Sequence, residues 1–348
     1  MDLSRKLFKQ TNLSDPFFDS LKADYKEFPE WFKKKANDYA YVFESDAGEV
    51  NGFLYLKVED GPVEDVKVPL PPARRLKVGT FKINAHGTKL GERFLKKIFD
   101  HAISEGVTEI YVTLFPKHAA LVKLFAEYGF SQKTEKHTDN GIEFVLVKNL
   151  QESTSDVVTS YPLVNLKGHQ SYLLSLYPKW HTRLLPDSIL ATEDAEIVQD
   201  ISHTNSIHKV YLAAMEGMGE LSRGDVLLIY RTTDHKGPAY YRSVATSLCV
   251  VEEYRSLGSF GTEADFLKYC QPYSVFTRGE LKEFWLKRKY PHVIRFMYNI
   301  ALKRRVNRGV MIDLGFDPDS YWGFMPLDEK QLLAVTNKGQ IDESLIIH

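Results

Sequence analysis

Cysteine is nearly missing from this chain: 348 residues carry two thiols, Cys249 and Cys270. They show neither metal-ligand spacing nor a framework, which excludes a disulfide-stapled scaffold or a cysteine-bound metal and points to a reducing compartment. Long apolar runs are also absent. No stretch of roughly 18 apolar residues occurs, so a membrane-spanning helix is excluded on composition. The opening "MDLSRKLFKQTNLSDPFF" scatters charges where a signal peptide needs an apolar core. We therefore expect a soluble, cytoplasmic protein with no membrane partner. Excess charge is missing as well: 45 Lys and Arg face 46 Asp and Glu, a net charge of −1. That argues against a surface coated in basic residues and leaves room for local patches. There is no internal repeat and no low-complexity tract, which excludes solenoid architectures.

What is present is an ordinary globular composition, 43% hydrophobic and 26% charged, in a chain long enough for two domains. The first half alternates in type. Residues 15–36 read as helix broken near Pro29, followed by a hairpin of "YAYVFES" and "GFLYLKVED" around "DAGEVN". Beyond Pro71 and Pro72 comes a strand, "RLKVGTFKI". Leu90, Phe94, Leu95, Ile98, Phe99 and Ala102 then recur at helical spacing, and that helix ends near Gly106. "EIYVTLF" is a strand, "KHAALVKLFAEYGF" a helix closed by Gly129, and "KTEKHTDNGIEFVLVKNL" a hairpin around Asn140-Gly141. The polar stretch "QESTSDVVTS" lacks any period and opens a linker, placed at 151–164. It separates a domain at 1–150 from one at 165–348. The second half offers short strands, "SYLLSLYP", "KVYLAA", "DVLLIYRT" and "AYYRSVATSLCVVEEYRS". A long helical stretch, "TRGELKEFWLKRKYPHVIRFMYNIALKRRVNRG", follows, with a last strand or two near 309–340.

The segment between strand and helix, "NAHGTKLGERFL", carries chemistry. A strand, a glycine-containing turn and a helix N-terminus gather backbone N–H groups in one place, a ready site for a phosphate. With that turn, the order of elements over 1–148 and the closing "FAEYGF", the first half resembles the GNAT family of acetyl-CoA-dependent acyltransferases. The family's turn, Arg/Gln-x-x-Gly-x-Gly/Ala, corresponds to His86, Gly87, Thr88, Lys89, Leu90 and Gly91. The resemblance implies an α+β domain with a mixed sheet flanked by helices and acetyl-CoA as cofactor, its pyrophosphate on the turn amides and Gly91 at the closest approach. Lys89 replaces the middle glycine, which keeps the turn usable only with a negative φ. The resemblance also implies that Phe81 and Ile83 offer backbone groups to the pantetheine and the thioester carbonyl, as oxyanion-stabilising donors. The family's general-acid tyrosine is absent: Phe125 stands in its place, and His118 stands where an Asn is usual. His118 and Tyr128 are the candidates left for acid and base work. The strand before the turn carries no glutamate to deprotonate an amine.

The second half, through "SIHKVYLAA", "LSRGDVLLIYRT" and "GPAYYRSVATSLCVVEEYRS", resembles the PUA-like superfamily of small β-barrels, in particular its ASCH and EVE branches. Gly224-Asp225 matches the turn that launches a core strand there. The resemblance implies a small barrel with helices and an association with RNA or modified bases. Charge adds to this. Between Arg278 and Arg308 ten Lys or Arg face only Glu280 and Glu283, a local balance of +8, with Lys287, Arg288 and Lys289 in one cluster and Lys303, Arg304 and Arg305 in another. His169, His181, His203, His208 and His235 show no metal-ligand spacing, and no metal is expected. "SYLLSLYPKWHTRLLPDSIL" either presents Trp180, His181 and Arg183 around a pocket or is a connector.

Two functions from different classes follow. One is an N-acetyltransferase whose second domain selects the amine acceptor, an RNA, a tRNA or an RNA-associated protein, in the manner of toxin-type family members that acetylate aminoacyl-tRNA. The other is a nucleic-acid-binding or ligand-sensing protein whose GNAT-like half binds without turnover, a reading favoured by Phe125 and Lys89.

Overall fold

The computed structural model describes residues 2–45, 47–84, 89–185 and 206–348. The turn residues His86, Gly87 and Thr88, and His203, lie outside the described residues. The chain divides into two compact units, Met1–Glu152 and Ser153–His348. No helix among the described residues is long and apolar enough to cross a membrane.

In the first unit, β1 (Asp2–Leu7) leads through short turns to α1 (Asp19–Asp24) and α2 (Phe28–Lys34). The expected break falls between the two helices, and Pro29 sits in the first turn of α2, where a missing N–H costs nothing. There follow β2 (Tyr39–Glu44), β3 (Val50–Val63), β4 (Leu70–Ile83), α3 (Leu90–Ser104), β5 (Glu109–Leu114), α4 (Ala119–Glu127), β6 (Ser131–Thr138) and β7 (Gly141–Asn149). The seven strands form one sheet in the order β1-β2-β3-β4-β5-β7-β6, antiparallel except for the β4–β5 pair. Strand β1 escaped the sequence reading because six residues beside a charged terminus leave little periodic signal.

Each face of this sheet has its own cover. Leu90 and Phe94 of α3 crowd Gly52 of β3 so closely that a Cβ there would meet them at 3.2 and 2.7 Å. The opposite face carries an aromatic cluster in which Phe8, Phe18, Phe28 and Phe32 pack on Phe53 and Tyr55. Burial of several such rings, each worth about 1.5–3 kcal/mol, fixes α1 and α2 on the sheet.

The second unit contains β8 (Val164–Asn165), β9 (Ser171–Leu176), α5 (Pro178–Leu184), β10 (His208–Ala213), β11 (Val226–Arg231), α6 (Ala239–Arg242), β12 (Val244–Ser256), α7 (Glu263–Cys270) and α8 (Arg278–Lys287). It ends with β13 (His292–Asn307), α9 (Arg308–Asp313), β14 (Phe324–Leu327), α10 (Glu329–Lys338) and β15 (Ile346–Ile347). Six strands form a sheet in the order β10-β13-β12-β11-β9-β14, and β8 pairs with β15. Among the described residues no pairing joins β14 to β10, so the sheet is open where the sequence reading expected a small barrel. Every residue of β9, β10 and β11 is buried.

The stretch read as one long helix is α8 followed by a sixteen-residue strand, β13. Arg288 ends the helix in the left-handed conformation (φ 52°), and Pro291 cannot donate to a continuing turn. Of the last strand or two expected near 309–340 one is present, β14, flanked by two helices that were not expected, α9 and α10.

Strand β13 is also where the segment entering this unit is tied down. Asn299, 5% exposed, donates to the carbonyls of Pro162 and Leu163 at 3.2 and 3.1 Å and accepts from the Val250 N–H at 3.1 Å. The Tyr161 hydroxyl donates to the Tyr298 carbonyl at 3.1 Å. Residues 161–164 therefore belong to the folded core. Asn299→Ala is expected to destabilise this unit by about 2–4 kcal/mol, because it strands one buried donor and two acceptors. Urea unfolding of the two proteins measures the difference, and unchanged midpoints would contradict the assignment.

Candidate active site

The parallel ladder between β4 and β5 pairs Arg75 with Glu109, Leu76 with Ile110, Lys77 with Tyr111 and Val78 with Val112, and then stops. Both strands continue, β4 to Ile83 and β5 to Leu114, so they diverge beyond that pair. The cause lies next to the last rung. The register of β3 on β4 jumps from Leu56–Val78 to Tyr55–Thr80, leaving Gly79 as the extra residue of a bulge. A Cβ on Gly79 would sit 2.7 Å from the Tyr55 ring, so only glycine fits. That ring is held by its hydroxyl, which donates to Asp38 at 2.6 Å.

Divergence leaves part of β4 with an open edge. The Asn84 N–H donates to the Asn51 carbonyl at 2.9 Å, making that a hydrogen-bonded pair of the β3–β4 ladder. Pairs alternate along an antiparallel ladder, so Lys82 also bonds toward β3, while the backbone groups of Phe81 and Ile83 point to the side that β5 has vacated.

A cavity of about 430 Å³ occupies the gap. Phe81, Leu114 and Leu121 line it where the strands part. Over the other sheet face it is lined by Tyr25, Phe28 and Trp31 from the α1–α2 segment and by Lys57, Glu59, Lys77, Lys136 and Glu143 from the strands. A cavity of this volume is of the size that holds a small molecule.

Titratable groups converge there. Glu143, 3% exposed on β7, accepts from the Tyr25 hydroxyl at 2.6 Å. Burial, and then that bond, push the Tyr25 phenol well above its ordinary range, so it stays a donor. His118, the residue before α4, lines the same cavity with its Nε2 3.0 Å from Asp24, a carboxylate that Lys117 also engages. Glu143, Tyr25 and Asp24 were missed by the sequence reading. The one signal was a glutamate at an inward position of the strand after Asn140-Gly141.

Of the other candidates, Tyr128 is 2% exposed, packs beside Phe99 at 6.2 Å and is not among the cavity residues. Phe125 is fully buried against Phe81 and Phe130, at 5.5 and 4.8 Å. Leu90 is buried on β3. Lys89 takes φ 56°, ψ 21°, and its Nζ meets Glu92 at 3.0 Å. This corrects the condition of a negative φ. Lysine adopts here the left-handed conformation that a glycine would take freely, at a strain of roughly 1 kcal/mol. Gly91 leaves room for Leu124 of α4, which a Cβ would meet at 2.9 Å, so a glutamate there would disturb packing as well as any ligand.

The basic residues of the second unit fall in two places. Lys287, Arg288 and Lys289 sit at the end of α8, where Arg288 stacks 3.8 Å over Trp285 and Lys287 pairs with Glu283. Lys303, Arg304 and Arg305 lie eleven or more residues along β13 from its start, roughly 35 Å of strand away. They do not form one patch. Among the described residues no cluster of His, Cys, Asp or Glu is placed to hold a metal ion.

No family model and no curated protein matches the sequence. Solved structures similar to the chain include ASCH from Zymomonas mobilis, 9% identical, covering 48% of this chain and 94% of that one with a TM-score of 0.31. They also include a putative phosphinothricin N-acetyltransferase, 18% identical, covering 43% and 100% with a TM-score of 0.32. A third is Chaetomium thermophilum Naa20 in complex with a bisubstrate analogue, 12% identical, covering 43% and 86% with a TM-score of 0.30. The structures similar to the chain thus include both acetyltransferases and an ASCH domain, each at low identity and over less than half of this chain.

Two expectations follow from the geometry. Gly79→Ala should destabilise the first unit by about 1–3 kcal/mol, since the Tyr55 ring must leave its bond to Asp38; thermal unfolding reads this directly. In the second unit, His181 is fully buried with Nε2 2.9 Å from Thr246, and burial, then Arg231 and Arg305, push its pKa down to about 3. Between that value and the ordinary one of about 6.5 the unfolded chain binds the extra proton, so this contribution is complete above pH ~6.5 and shrinks as pH falls. Urea midpoints from pH 7 to 4.5 should fall more steeply for the native protein than for His181→Gln, and superimposable profiles would refute a buried neutral ring.

Proposed function

We propose that the protein is an acetyl-CoA-dependent N-acetyltransferase acting on an amine that enters over the α1–α2 face. The observation that carries this is the open β4 edge at Phe81 and Ile83, turned into a cavity that crosses the sheet. Backbone donors on a fixed strand suit an extended amide-bearing ligand and a carbonyl that gains negative charge. Acetyl-CoA would supply the acetyl thioester. Glu143, held by Tyr25, takes the proton from the incoming amine, and His118, oriented by Asp24, holds a proton at the α4 side of the split. The α1–α2 aromatics keep water from the reacting groups. RNA or tRNA is proposed as the partner through which the second unit selects the acceptor, with the two basic clusters making separate phosphate contacts.

A second reading rests on Phe125, which puts a buried ring where the resembled family has its acid: the first unit binds the cofactor without turning it over. Incubation of a cell lysate with labelled acetyl-CoA, followed by separation into RNA, protein and small molecules, decides between them. Transfer into one fraction, lowered on the order of 100-fold by Glu143→Gln, is expected. Label in RNA supports the proposed partner. Acetyl-CoA binding without transfer to any fraction would establish the binding-only reading.

A further inference from the structure

The same cavity also holds a feature that amine acetylation does not use. Lys57 on β3 and Lys77 on β4 are direct partners in the antiparallel register, and Tyr111 is the partner of Lys77 on β5. Like charges opposite each other weaken a sheet. One carboxylate serves both lysines: Glu59 Oε1 lies 3.0 Å from Lys57 and 3.8 Å from Lys77, while Oε2 is engaged by the Tyr111 hydroxyl. The neighbouring cavity lysines have carboxylates of their own, Lys35 with Asp38 and Lys136 with Asp65. Lys77 is therefore a half-buried ammonium, 27% exposed, over an aromatic ring 5.4 Å away, with a shared counter-ion beyond hydrogen-bond reach. Burial, incompletely offset by Glu59, holds its pKa below the usual lysine range.

We infer that Lys57 and Lys77 bind an anionic group, a carboxylate or a phosphate, carried by the amine acceptor itself. This rests on the N-acetyltransferase reading above. The register also sets the length of such a molecule. Glu143 lies two strands across from Lys77 and four residues along β7 from Val147, the partner of Tyr111. Strand spacing and rise make that roughly 16 Å between Cα atoms, which the Glu and Lys side chains shorten to a gap on the order of 6–10 Å. An amine and an anion several bonds apart span it, and an α-amino acid with no longer chain does not.

The test uses matched probes on the full chain: 6-aminohexanoate against its amide, and 3-aminopropyl phosphate against 3-aminopropanol. Calorimetric binding and coenzyme A release are measured for the native protein, Lys77→Met and Lys77→Arg. The anionic member of at least one pair should bind about tenfold more tightly than its neutral partner, a ratio abolished by Lys77→Met and restored by Lys77→Arg. Preference for the carboxylate or for the phosphate pair identifies the anion. Lys77-dependent binding with no thiol release would leave the anion site standing and overturn the acetyltransferase reading. Equal binding of both members of each pair, or a loss of acetyl-CoA affinity in Lys77→Met, would overturn the anion site while the transferase reading stands.

Discussion

Two parallel strands that part company after four rungs are the constraint on which the first unit depends. The bulge at Gly79 rotates β4 away from β5, and the Tyr55 ring against it makes any side chain at that position a wedge. From this one irregularity come the open edge at Phe81 and Ile83 and the cavity lined by Phe81, Leu114 and Leu121 beside the α1–α2 aromatics. Helices α3 and α4 pack on one side through Phe94 and Phe125, and the aromatic α1–α2 segment closes the other. A regular ladder to the ends of both strands would have satisfied more hydrogen bonds and closed the gap between them.

The second unit is organised around β13, the longest of its strands among the described residues, which neighbours β10 on one side and β12 on the other. Its middle is buried and its last third emerges with Lys303 and Arg304 exposed. The bulge of β12 at Glu252 places a carboxylate inside, where His208 and Arg295 both engage it. Burial would raise that acid, and the bonds from His208 and Arg295 more than reverse this. Such a cluster is costly to break.

The order of elements in the first unit was legible because it is written in period: Leu90, Phe94 and Ile98 for a helix, Asn140-Gly141 for a hairpin. The divergence of β4 and β5 was not, since backbone pairing leaves no mark on side chains. Gly79 is an ordinary residue in a strand until Tyr55 is seen against it. Gly91 was read for the close approach of a ligand, and the structure adds a packing reason, Leu124. Strand β13 was misread because its basic tail, "LKRRVNRG", looks like a solvated helix and outweighed the stop that Arg288 and Pro291 impose. Glu143 did not stand out in the sequence because the family resemblance points to His118, Tyr128 and the strand before the turn, whereas the fold brings this carboxylate to the cavity from β7, two strands away from β4. The two basic clusters count toward one local charge balance, and the strand β13 sets the second well apart from the first.

The hydrogen bonds around Asn299 bear on where the second unit begins. Its amide satisfies the carbonyls of Pro162 and Leu163, and Tyr161 reaches the carbonyl of the preceding residue, Tyr298. The apparent joint between units is thus partly a rivet: proteolysis or truncation that removes residues 153–163 would open the centre of the sheet rather than trim a tether. An evolutionary transplant of this unit onto another chain would have to carry that strip along.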